Sequence, residues 1–536
     1  MNTLEWSIHD MHVQYAAGKL TAEEVVQRCL ARIEKYDGTY KAFIGLNPAV
    51  LDEARALDQR RASGEKLGAL AGVPIVIKDS INVAGLPTTA GWAALSRQAG
   101  GIDLIPDRDA PVVARLRDAD ALILGKGNIP AFSLSSEDAN SSWAGPTYNA
   151  VDPRFIPAGS SSGVATAVSA NFTVLGLAQE TGGSIQNPAA AQALVGVKPT
   201  FGLVPNTGTF PLAGSTLDVL GPHARTVQDA ATMLDVIAGH SIADPKTVAA
   251  IGHVQPNAPY RSQLSTQGLQ AQRIGLYGSG WSNQNLSAET ELLYDRAVNA
   301  LINNGAITVT DPFAGSEFSH LSPANEWKQN FYGLESLAFD IDSYLRATKF
   351  QNTVHSLKDL IKATGENPFA EDGLLALIWK AIHDQPEPSG QNERSNIYAQ
   401  TEPQFQQAIT QLKTPPLSVQ CPDLAGFTAF QGQYLETFNQ VMDEHDLDAL
   451  CFPQQYQAIP TVKEPTAYPV IATPHINILG LPGVTVPGGY YKNGAPFSLI
   501  FIGRKWNEAT LLRIAYAYEQ STKHRVAPTL SHEVVS

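Results

Sequence analysis

Short apolar runs separated by polar, turn-rich stretches dominate the hydrophobic pattern: Val73–Ile77, Ala121–Leu124, Thr173–Ala178, Leu447–Phe452, Gly483–Val486 and Ser498–Ile502. Runs of this length predict strands buried on both faces. Helix-period segments lie between or after them, Pro111–Asp118 and Asn507–Glu519 being the clearest. Near the start, residues 21–35 put Val25, Cys29, Leu30 and Ile33 on one face. Thr21 is the expected N-cap there and Glu24 its capping-box partner. That helix is expected to pack rather than to act. The alternation predicts an α/β protein with a mostly parallel sheet, and no fixed-period repeat interrupts it.

From about 260 to 440 the pattern changes to more Gln, Asn, Ser and aromatic residues, with helical segments at Ser336–Arg346 and Ser356–Ala363. Residues 384–398 read as a polar loop. Strand-like runs resume at Leu447 and need the first half of the chain to complete a sheet. The region is therefore expected to be a helical insertion into one domain.

Composition narrows the function classes. With 536 residues, 43% apolar and 16% charged, the chain is long enough for a large core and too apolar to be disordered. A net charge of −14 with no basic block argues against nucleic acid or anionic membrane as a partner. The three cysteines Cys29, Cys421 and Cys451 lie far apart without ligand spacing, so neither a disulfide framework nor a metal site is expected. Residues 1–10 carry neither a basic nor an apolar leader, and no run of ~18 apolar residues occurs, so the expected location is the cytoplasm.

Two serine-bearing glycine turns carry the candidate chemistry. Pro157-Ala-Gly-Ser-Ser-Ser-Gly163 and Glu180-Thr-Gly-Gly-Ser184 set Ser160 and Ser184 24 residues apart, across the small-residue helix Val164–Ala170 and an apolar run. Glycine turns let N–H groups converge where an oxyanion forms, and a serine there is a candidate nucleophile. Upstream, Val73-Pro-Ile-Val-Ile-Lys-Asp79 ends a buried strand in Lys78, where desolvation would favour the neutral amine. Together these read as a serine hydrolase with lysine in place of histidine. Gly159–Gly163 also matches G-x-S-x-G with Ser161 at its centre, with His445, His475 and His524 downstream. The two prolines before it leave no strand for a nucleophile elbow. Phosphate-cradling motifs are absent.

These elements resemble the amidase signature family. Its turn G-G-S-S-G-G stands here as Ala158–Gly163, and its G-T-D-T-G-G-S-I-R-x-P-A as Ala178-Gln-Glu-Thr-Gly-Gly-Ser-Ile-Gln-Asn-Pro-Ala189. Gly196–Leu203, Gly72–Asp79, Leu124–Asn128, Asn477–Pro482 and Tyr516–Gln520 follow the family as well. The resemblance covers about residues 7 to 525 and is weakest between 245 and 440. It implies the amidase signature fold, one large domain over residues 1–536 whose mixed, mostly parallel central sheet is flanked by helices. The signature core would span about 60–230 and 445–525, with substrate specificity in the helical region of about 260–440.

The resemblance further implies a Ser-Ser-Lys triad, with Ser184 the nucleophile, Ser160 the bridging serine after a cis Gly159–Ser160 bond, and Lys78 the base. Thr181, Gly182, Gly183 and Ser184 would supply oxyanion-hole N–H groups. No cofactor or metal is implied. The expected activity is hydrolysis of a linear amide, a carbon–nitrogen bond other than a peptide bond, in a small molecule. The same triad would serve a carbamate or an ester, and a homodimer is compatible with the family. Around Ile129–Ser133 and Ser141–Ala144, Phe132, Ser133 and Trp143 are candidate pocket residues. Two family positions differ: Asp and Arg flanking the nucleophile turn are Glu180 and Gln186 here. A carboxylate–amide hydrogen bond is expected to replace that ion pair. Losing the Arg weighs against a partner-dependent amidotransferase A-type chain, as does the segment Leu334–Leu345 with Ser356–Ile361, which resembles the insert of free-standing amidases.

Overall fold

A computed structural model describes residues 5–254, 257–321, 333–370, 373–375 and 424–531. Eleven strands form one sheet: β1 Phe43–Leu46, β2 Pro74–Lys78, β3 Leu122–Gly127, β4 Leu175–Glu180, β5 Val195–Lys198, β6 Val219–Ala224, β7 Arg273–Leu276, β8 Ile307–Val309, β9 Ala449–Pro453, β10 Gly483–Tyr490 and β11 Pro496–Ile502. Their spatial order is β1-β3-β2-β4-β6-β5-β10-β11-β9-β7-β8. The six apolar runs read from the sequence all become strands, with bounds shifted by a few residues.

The class and the mixed sheet are as expected; the balance within the sheet is corrected. Parallel pairing is confined to two groups, β3-β2-β4 and β9-β7-β8. Between them, and at β1, neighbours run antiparallel. Buried strands look alike in either direction, because both faces are apolar whichever way the chain runs. The tight turn between β10 and β11, residues 491–495, makes that pair antiparallel, and β5 and β6 pair antiparallel across the longer link 199–218. The region 260–440 also departs from a purely helical insertion, since β7 and β8 extend the sheet beyond β9. The loop expected at 384–398 and Cys421 lie outside the described residues.

Helices follow their local signals. Ala22–Tyr40 starts at Thr21, whose hydroxyl accepts from Glu24 N at 3.1 Å while Thr21 N donates to the Glu24 carboxylate at 2.9 Å. Pro111–Asp118 appears as read, and Leu337–Ala347 and Leu357–Thr364 fall within a residue of expectation. Among the described residues no helix is long and apolar enough to cross a membrane.

The strand pair β2 and β4 fixes the site. The two run parallel as direct neighbours, so their carboxyl ends, Lys78 and Glu180, emerge at one edge. Ile75, Val76 and Ile77 are fully buried, each stabilising the fold by roughly 1.5–3 kcal/mol relative to exposure. The helix Ser162–Ser169 packs on β2, β3 and β4. Small residues permit this approach: a Cβ on Gly176 would stand 2.4 Å from Val164 Cγ1.

Candidate active site

Lys78, the last residue of β2, is only 1% exposed. Its Nζ donates to the main-chain oxygen of Gln179 at 2.8 Å and lies 2.7 Å from Ser160 Oγ. Burial pushes the ammonium down to about 7, against the pull of the Asp218 and Glu180 carboxylates. A neutral amine with one N–H spent on Gln179 keeps its lone pair for Ser160.

Ser160 follows a cis Gly159–Ser160 peptide bond and is fully buried. Gly159 N donates to Ser136 O at 2.8 Å, and a Cβ on Gly159 would lie 2.4 Å from Ser135 O, so residues 135–136 press directly on the turn. Ser160 Oγ lies within hydrogen-bond distance of Ser184 Oγ, at 2.8 Å. Lys78 and Ser160 are closed off from solvent, whereas Ser184 is half-buried and the adjacent Gly182 exposed. A reagent from solution therefore meets Ser184 first.

The turn Thr181–Ser184 leaves β4 and feeds the helix Gln186–Ala191. Glu180 organises it from behind. One carboxylate oxygen accepts from Ile185 N at 2.7 Å and Gln186 N at 3.1 Å; the other accepts from Asn477 Nδ2 at 2.8 Å and from Gln186 Nε2. The carboxylate–amide contact expected in place of the Asp–Arg pair is thus present, with Asn477 as a further donor. Gly183 adopts φ +131°, and a Cβ there would meet Asn187 Nδ2 and Thr473 Cγ2 at 2.6 Å, so this position requires glycine. The N–H groups of Gly182, Gly183 and Ser184 donate to no described residue, which leaves three consecutive donors on the turn that carries Ser184. Developing negative charge on a carbonyl oxygen is stabilised by such donors.

The structure brings Lys78, Ser160, Thr181, Gly182, Gly183 and Ser184 into one cluster. The candidate pocket residues are placed less uniformly. Phe132, at φ 53°, packs in tilted contacts against Trp92 and Phe210 at centroid distances of 4.9 and 5.7 Å. Ser133 starts the loop that reaches the Gly159 turn through Ser135 and Ser136. Trp143 donates from Nε1 to Thr89 at 2.9 Å and lines a cavity of about 200 Å³ with Asp79 and Lys126, whose walls do not include Ser160 or Ser184. The elbow alternative loses its parts: Ser161 Oγ donates to Gln179 O at 3.2 Å, and His475 is buried against Trp281 and bonded to Tyr434.

Three contributors escape a reading of the sequence: Gln179, Asn477 and Asp218. Gln179 anchors Lys78 through a main-chain oxygen, which no side-chain pattern encodes. Asn477 sits in a recognisable motif, yet its contact to Glu180 spans 297 residues. Asp218 accepts from Thr181 Oγ1 at 2.5 Å, and it also lines a cavity of about 620 Å³ with Thr209, Asp340 and Tyr344. Neither Lys78 nor either serine of the cluster lines that cavity.

The amidase family profile matches residues 24–512. The chain belongs to the amidase signature family. Among its relatives, the A-type chain of glutamyl-tRNA(Gln) amidotransferase from Carboxydothermus hydrogenoformans is 31% identical over 525 residues, covering 96% of this chain and 97% of that one. Among solved amidase signature structures, the peptide amidase PAM bound to the competitive inhibitor chymostatin superposes with a TM-score of 0.78 at 30% identity, covering 99% of this chain and all of the other. Native peptide amidase from Stenotrophomonas maltophilia gives a TM-score of 0.77 at 30% identity, covering 99% of each chain. Membership implies action on a carbon–nitrogen bond, either as a hydrolase or as part of an amidotransferase.

Proposed function

We propose that the protein is a free-standing cytoplasmic amidase that hydrolyses a small-molecule carboxamide through an acyl-serine intermediate. Neutral Lys78 takes the proton of Ser160 as Ser160 takes that of Ser184. Ser184 Oγ attacks the amide carbon, and the carbonyl oxygen becomes an oxyanion held by N–H groups of the Thr181–Ser184 turn. When the C–N bond breaks, the relay returns a proton to the departing nitrogen. Water then adds to the acyl-serine by the same route, releasing the carboxylic acid and restoring the Ser184 hydroxyl. The observation that carries this reading is the unbroken contact chain from Lys78 to Ser160 to Ser184 at 2.7 and 2.8 Å, with only its last member open to solvent. Phe132, Ser133 and Trp143, with the region 260–440, are proposed to shape substrate choice. A carbamate or ester fits the same chemistry.

A hydrolysis panel of amides, anilides, carbamates and esters, with Ser184→Ala as control, tests the proposal. The control should lose activity by about 10³-fold or more; wild-type turnover by Ser184→Ala would overturn it. Identity to the A-type chains of amidotransferases favours a second reading, a partner-dependent component of such a complex. Weak activity alone and a stable co-purifying complex would support that reading instead.

A further inference from the structure

We propose that Asp218 is a positioning residue for this reaction, joining the anchor of the base to the oxyanion turn and supplying the negative charge that accompanies proton uptake at Lys78. The inference rests on Lys78 being the base.

Asp218 is 3% exposed and lies one residue before β6. Its Oδ1 accepts from Thr181 Oγ1 at 2.5 Å and Ala213 N at 3.0 Å; its Oδ2 accepts from Gln179 Nε2 at 3.1 Å and Leu212 N at 3.0 Å. Burial and the neighbouring Asp340 carboxylate push its proton affinity up, while the four donors favour the ionised carboxylate. Two of the donors are functional neighbours. Gln179 is the residue whose main-chain oxygen anchors Lys78, and Thr181 opens the oxyanion turn. A shift of Asp218 would therefore be felt at the base and at the turn together.

The charge matters as well as the contacts. No Lys or Arg among the described residues pairs directly with Asp218, so its field acts on the buried amine of Lys78. Glu180, from β4, is likewise held by four donors and is the other carboxylate whose charge reaches Lys78. The remaining titratable groups around them are already neutral or otherwise engaged. His223, on β6, is pushed by burial down to about 4 and stays neutral in the working range. Asp79 lies 3.4 Å from Lys126. Asp340, from the helix Leu337–Ala347, faces Asp218 and accepts from Ser215 N, Ser215 Oγ and Ser336 Oγ. Asp218 and Glu180 are thus the carboxylates that favour a protonated Lys78.

Asp218→Asn removes the charge and Thr181→Val removes one donor while leaving the charge. The measurement is the pH profile of kcat/KM for both, with melting temperatures. In Asp218→Asn the acid limb should move down by about half a pH unit or more, because Lys78 then loses its proton more readily, and kcat should fall at least about tenfold. In Thr181→Val kcat should fall by roughly tenfold at unchanged KM with the limb unmoved. Lower melting temperature with an unmoved acid limb in Asp218→Asn would make the residue merely structural and overturn the proposal. If Asp218→Asn does not fold, wild-type kcat in Thr181→Val overturns it. Turnover by Ser184→Ala would instead defeat the triad assignment itself, a separate outcome.

Discussion

Ser184 and Ser160 carry the same hydroxyl, and their surroundings alone separate their roles. In the proposed mechanism the half-buried one meets substrate, and the fully buried one faces a lysine whose proton is held loosely at about 7. The pH dependence follows. A base must be neutral, so kcat/KM should rise with pH through about 7 and level off above it, as a substrate-saturation series across pH would record. Lys78→Arg should abolish both the rise and the activity, since guanidinium stays protonated. At Gln186, replacement by Leu removes a donor from the buried Glu180 carboxylate. The expected loss is about 2 kcal/mol of stability together with reduced kcat, checked by urea unfolding and kinetics. Lys78, Ser160 and Ser184 are legible in the sequence because their chemistry is local to strand ends and glycine turns. Asp218 is not, because an aspartate in a loop carries no pattern until its donors surround it.

Elements bring these residues within reach. The helix Ser162–Ser169 leads from the Ser160 turn, and its second residue, Gly163, touches backbone directly: a Cβ would stand 2.3 Å from both Ala42 O and Asn128 N. Backbone cannot swing aside as a flexible side chain does. Gly163→Ala should therefore cost about 1–3 kcal/mol or more and depress activity with it, measured by chemical unfolding and turnover. Thr21→Ala offers a contrast at a remote helix. It removes the hydroxyl that accepts from Glu24 N, leaves the backbone N–H that donates to the Glu24 carboxylate, and should lower stability by about 1 kcal/mol with unchanged kcat/KM. Caps and helix faces are written in adjacent residues, so the helices at 111–118 and 357–364 are legible nearly to the residue, and the start of the helix 22–40 is too, although that helix runs five residues past its expected end at 35. Short strands such as β5, β7 and β8 are not, since three or four residues carry too little periodicity.

At the scale of the molecule, one sheet of eleven strands gathers residues from both ends of the chain, and buried ionisable groups tie its layers together. Glu519, on the last helix, accepts from Val227 N at 2.8 Å and is pushed by burial up to about 7. A carboxyl whose folded value exceeds its unfolded one favours the fold at low pH. That contribution fades as pH rises from about 4.5 through about 7. Glu519→Gln should flatten this part of the stability–pH curve, by on the order of 3 kcal/mol, in unfolding measured at several pH values. The sequence by itself determined the α/β class, the strand runs, the helix starts and the residues able to do the chemistry, because each depends on neighbours along the chain. The tertiary structure alone decided strand direction and order, the burial that holds Lys78 near neutrality, and the different exposure of the two serines. Those depend on contacts between distant segments, and only the folded chain sets the solvent exposure and the partners of each group.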